Sequence, residues 1–67
     1  MYPELMATMA AKGWNRRMLA EATGKTQPTI SNFLNGKMDP RLSFCYTVKR
    51  ALGTDKPIEE LFRWEER

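Results

Sequence analysis

Prolines and glycines alternate along this chain in a way that leaves room for short helices and little else. Pro suits the first turn of a helix, where its missing N–H has no partner to lose, and Gly suits the position just past a helix end. Pro3 is followed by Gly13, Pro28 by Gly36 and Pro40 by Gly53, while Asn15 and Gly24 bracket the segment between the first two. Pro57 opens the last segment. This punctuation predicts helices over roughly 4–12, 16–23, 27–34, 41–52 and 58–66, joined by linkers of a few residues, with no strands.

Apolar spacing supports that division. Leu5, Met6 and Met9 share a face at a period of 3.6, as do Met18, Leu19 and Ala22, then Ile30, Phe33 and Leu34. Leu42, Cys45, Val48 and Leu52 line the fourth segment, and Ile58, Leu61 and Phe62 the fifth. Thr26 and Asp39 are N-cap types placed just ahead of the third and fourth helices. Glu59 and Glu60 fall where a helix dipole favours anions. The expected fold is an all-α, compact five-helix domain spanning residues 1–67.

Size narrows the chemistry. A chain of 67 residues stands near the lower limit for folding on its own core and rarely builds a deep pocket. Cys45 is the only cysteine and there is no histidine, which excludes an intrachain disulfide and the usual zinc ligand sets. Cys45 and the five methionines are expected to fill the core. Carboxylates cluster only in the tail, so no catalytic residue, metal site or cofactor is expected. No apolar run nears the ~20 residues of a membrane span, and Met1–Ala10 lacks the pattern of a secretory leader. The expected location is the cytoplasm, at the nucleoid.

The net charge of +3 hides a strong asymmetry. Between Lys12 and Arg50 stand eight basic residues and two acidic ones, Glu21 and Asp39, whereas Ala51 to Arg67 holds five acids and three bases. A basic middle beside an acidic end points to a polyanion met by one surface.

Gly24-Lys25-Thr26 superficially matches the close of a nucleotide-binding loop. That loop needs a Gly five positions before Gly24, where Leu19 stands, and a strand rather than a helix ahead of it. The alternative is two short helices around a tight turn. Ala20 is small where two steeply crossed helices come closest, Gly24 accepts a positive φ, and Ile30 fills the wedge; this is the spacing of a helix-turn-helix.

WNRRMLAEATGKTQPTISNFLNGK resembles the helix-turn-helix of the phage-repressor and Cro family, the lambda-repressor-like DNA-binding domains. DPRLSFCYTVKRALGTD resembles the fourth helix of that family, PIEELFRWEE its closing helix, and Asn35-Gly36-Lys37 the turn after its recognition helix. Lys25 departs from the apolar residue usual in the turn, leaving that part less buried. Pro28 is uncommon in the first turn of a recognition helix and lessens base reading there.

The resemblance implies that the third helix enters the major groove with its N-terminal residues at the base edges. Gln27 can give to and accept from adenine, Thr29 and Asn32 share its outward side, and the Pro28 ring can meet a thymine methyl. Arg16 and Arg17 add charge to the free N–H groups opening the second helix. Family members use the positions matching Arg16, Thr26, Asn35 and Lys37 on phosphates, and Arg41 follows closely. Lys12, Lys49 and Arg50 are open between phosphate contact and plain solvation.

The expected function is sequence-specific regulation of transcription, Cro- or repressor-like, in a phage or bacterium. Ligand sensing and self-cleavage, which belong to the extra domain of larger repressors, are not expected. Phe44, Tyr46 and Trp64 exceed what the core needs, so Phe44, Phe62 and Trp64 are candidates for a homodimer interface on an inverted-repeat operator. The alternative is a protein-binding module of the same fold, with a toxin or a repressor as partner.

Overall fold

The computed structural model describes residues 1–66. Its helices are α1 (Pro3–Lys12), α2 (Arg16–Thr23), α3 (Gln27–Leu34), α4 (Leu42–Leu52) and α5 (Ile58–Leu61), with no strand among the described residues. Three starts follow the local chemistry. Pro3 occupies the first turn of α1, the Asn15 side chain accepts from the Met18 N–H at 2.9 Å, and Thr26 Oγ1 accepts from the Thr29 N–H at 3.4 Å. The fourth start differs from expectation. Asp39 caps nothing: α4 begins at Leu42 behind an extended Arg41 that makes no side-chain cap bond.

One buried cluster joins the elements. Leu5, Leu19, Ile30, Phe33, Val48, Leu52 and Leu61 are wholly inaccessible, with Phe33 at the hub of the aromatic contacts. Its ring centroid lies 5.0 Å from Tyr2 and 5.0 Å from Phe44, the latter edge-on, and 6.0 Å from Phe62. Such pairs add ~0.5–1.5 kcal/mol each beyond the area they bury. α2 packs on α3 and α4, and α5 packs on α1 and α4.

Five expectations about packing fail. Met6 and Met18 are exposed, and Ala20 with Leu19, rather than Ala22 and Met18, turns inward from α2. On α4 Leu42 is exposed, at 63%, while Phe44 is buried. At about 100° per residue, Phe44, Cys45, Val48 and Leu52 fit within a ~100° arc, and Leu42 lies ~60° outside it. Burial pushes the Cys45 thiol above its ordinary pKa, as suits a small core residue.

The last correction concerns the tail. α5 stops at Leu61 instead of running to residue 66. Beyond it the chain folds back: the Glu65 N–H donates to the Met1 carbonyl at 2.8 Å, and the Met1 amino group donates to the Glu65 carbonyl at 2.8 Å. The Trp64 ring meets Tyr2 edge-on at 4.9 Å. These contacts replace the helical bonds that a continued α5 would have made.

Candidate nucleic-acid interface

α3 is held from one side only. Ile30, Phe33 and Leu34 anchor it in the core, and the spacing of those three leaves the opposite side free. Pro28 and Asn32 are exposed there; Gln27 is exposed at the first residue of the helix, nearer the stripe of Leu34, and Ser31 is half-buried. Thr29 is less available than its outward register suggests. It is half-buried, and its hydroxyl lies 2.9 Å from the Thr26 hydroxyl, within the cap that starts α3.

The turn between α2 and α3 sets their angle. Gly24 has φ +72°, in the left-handed region that favours glycine, and the Lys25 N–H returns to the Ala20 carbonyl at 3.0 Å. Ala20 is buried beside Leu19, Ile30 and Phe33 in the shared cluster, where a longer side chain would hold the helices apart.

Polar and basic residues flank α3. Arg16 Nη1 donates to Ser31 Oγ at 3.3 Å, which steadies one exposed guanidinium against α3. Ser31 was not expected in this role, although its position four after Gln27 places it on the adjoining stripe. Arg16 also lines a cavity of about 310 Å³ with Leu34 and Asn35, so the start of α2 and the end of α3 open to one space. Arg17 is turned along its own helix instead, paired with Glu21 at 3.1 Å. Lys37 is exposed just past α3, its N–H bonded to the Asn32 carbonyl at 2.9 Å. At the other end of α3, Lys25, Thr29 and Arg41 border a second cleft.

Aromatic surplus does not survive as expected. Phe44 lies buried edge-on against Phe33 and is not available to a partner chain; Phe62 is half-buried against Tyr2 and Phe33. Trp64, 39% exposed, lies over Tyr2 and Gly36. Tyr2 absorbs these rings. It is buried ahead of α1, outside any helical period that would have revealed it, and its hydroxyl pKa is raised by burial, then by the Cys45 and Asp39 charges. The large apolar side chains left most open are Leu42 and Tyr46, one turn apart on α4.

Among the described residues no group of three or more His, Cys, Asp or Glu gathers at metal-binding distance, and no helix is long and apolar enough to cross a membrane. No curated protein and no solved structure gave a match. Residues 5–58, from the core of α1 to the first residue of α5, match the model of a helix-turn-helix family. With α2, the Gly24 turn and α3 standing in the order and packing of that motif, the chain belongs to the lambda-repressor-like (XRE-type) helix-turn-helix family of DNA-binding transcription regulators.

Proposed function

We propose that this chain is a Cro- or repressor-like regulator, of phage or bacterial origin, that reads double-stranded DNA with α3 in the major groove. The observation that carries the reading is the one-sided anchoring of α3: three core residues hold it while Gln27, Pro28 and Asn32 stay exposed. An eight-residue helix is ~12 Å long and the major groove is ~12 Å wide, so groups at its two ends come within reach of both phosphate walls. In this assignment Gln27 and Asn32 carry base recognition, with Pro28 and Thr29 as lesser contacts. Arg16, Thr26, Asn35, Lys37 and Arg41 bind phosphates, and Arg17 joins them only if it leaves Glu21.

A homodimer on an inverted repeat, in the cytoplasm, completes the proposal. Its contact surface shifts from Phe44 and Phe62 toward Trp64 and the Leu42–Tyr46 stripe. Sedimentation at micromolar concentration tests it, and a strict monomer on and off DNA would remove the dimer.

Selection of bound sequences from a random duplex pool is the primary test. An enriched inverted repeat is the expected result, with Gln27→Ala and Asn32→Ala each weakening it by ~1–3 kcal/mol. Binding should also fall with salt as roughly four to six phosphate contacts require. The exposed Leu42 and Tyr46 favour a second reading, in which α4 docks a toxin or a repressor. A pool without enrichment, together with a partner complex that survives Gln27→Ala and Asn32→Ala, would establish that alternative.

A further inference from the structure

The turn of a helix-turn-helix is a place to bury an apolar side chain, and here it carries Lys25. Its ammonium lies 5.9 Å from the centroid of the Phe44 ring. Phe44 is buried and Lys25 is exposed, so the ammonium stands over the ring from the solvent side. Both residues border a cleft of about 260 Å³ whose walls are Lys25, Thr29, Met38, Asp39, Arg41 and Phe44. Thr29 belongs to the first turn of α3, and Arg41 stands at the start of α4. Two cations from separate elements therefore face one space beside the N-terminal end of α3.

We propose that Lys25 is a DNA-backbone-binding residue, forming with Arg41 a two-sided clamp on a phosphate next to the end of α3 that reads bases. The inference rests on the DNA-binding function proposed above and adds a contact to it. A cleft of this volume holds a phosphate oxygen cluster and several waters at ~30 Å³ each. The aromatic floor limits where the ammonium can go, which lowers the entropy lost when it meets a phosphate. Asp39 lines the same cleft and opposes the incoming anion. It leaves the cleft with a net charge of about +1, enough to attract one phosphate but weakened by the carboxylate.

The test compares wild type, Lys25→Met, Lys25→Arg, Lys12→Met and Asp39→Asn by anisotropy titration. Each is titrated against a mixed-sequence duplex and a selected duplex across a salt series. Methionine keeps an unbranched stem on Phe44 and removes only the charge. For Lys25→Met the slope of log affinity against log salt becomes shallower by about 1 per bound protomer, and affinity falls by one common factor on both duplexes. Lys25→Arg restores the slope, and Asp39→Asn tightens binding to both duplexes. Lys12, whose ammonium lies 5.8 Å over the Trp14 ring outside this cleft, serves as the comparison, and Lys12→Met changes the slope by less than Lys25→Met does. An unchanged slope for Lys25→Met overturns the clamp, as does an equal loss for Lys12→Met, no rescue by arginine, or weaker binding by Asp39→Asn. A wild type that binds no duplex even at low salt overturns the DNA-binding proposal itself, and the clamp with it.

Discussion

Two Gly-Lys pairs stand at the two ends of α3, with matching glycine φ and matching returning hydrogen bonds. Gly24 has φ +72° and Gly36 +74°. The lysine after each donates its N–H five residues back, Lys25 to Ala20 at 3.0 Å and Lys37 to Asn32 at 2.9 Å. The surroundings differ. A Cβ on Gly24 would meet nothing within 4 Å, whereas one on Gly36 would stand 2.5 Å from the Trp64 ring. The first glycine is needed for its φ alone, and the second for its φ and its missing side chain. The same dipeptide thus does one job by local geometry and two once a distant segment lies on it.

The largest expected effect separates these turns directly. Gly36→Ala should cost ~2–4 kcal/mol, the left-handed penalty plus the displacement of Trp64, against ~1–2 kcal/mol for Gly24→Ala. Denaturant titration of the two variants checks it; equal losses would show that Trp64 yields freely. Trp64→Ala comes next, at ~1–2 kcal/mol for the apolar area it uncovers. In its background Gly36→Ala should cost no more than Gly24→Ala does, and a double-mutant cycle measures that coupling.

A smaller effect probes the caps. Thr26→Ala removes the side-chain cap of α3 and should cost ~1 kcal/mol by thermal melting. Asn35→Ala, where no such cap exists, should stay within ~0.5 kcal/mol in stability. If Asn35→Ala proved the costlier, the C-terminal turn would hold α3 by a bond not yet identified.

The smallest effect concerns the segment leading to α5, tied to α1 by Lys56 Nζ donating to Glu4 Oε2 at 2.7 Å. That hydrogen bond and the Lys56 charge hold the Glu4 carboxyl below its ordinary pKa. Its contribution is therefore fully present above the unfolded-state value and is lost as pH falls through the lowered folded-state value. Melting temperatures measured from neutral to acidic pH should show Glu4→Gln less acid-sensitive than wild type. Parallel curves would assign the acid dependence to other carboxylates.

Much of α3 was legible from residue order. Thr26 as cap, Pro28 in the first turn, and Ile30, Phe33 and Leu34 as its buried side all follow from spacing within one helix. The outward exposure of Pro28 and Asn32 follows from the same period, whereas Gln27 shares the stripe of Leu34 and is exposed because it opens the helix. Less legible was what each polar residue would touch. Arg17 meets Glu21 and Arg16 meets Ser31, a choice between neighbours that spacing leaves open. In the sequence Lys25 is only a departure in the turn, because the Phe44 ring beneath it comes from α4.

Helix number, turn positions and the family-bearing spacing are written in the order of residues, because φ preferences, caps and 3.6-residue periodicity act within a few positions. The choice of Phe44 over Leu42 for the core, the end of α5 at Leu61 and the burial of Tyr2 are not. Each depends on which surface of one helix meets another across the fold, and several registers satisfy the local rules equally. The fit of Phe33 against Tyr2, Phe44 and Phe62 selects among them, and with it the place where Trp64 closes over Gly36.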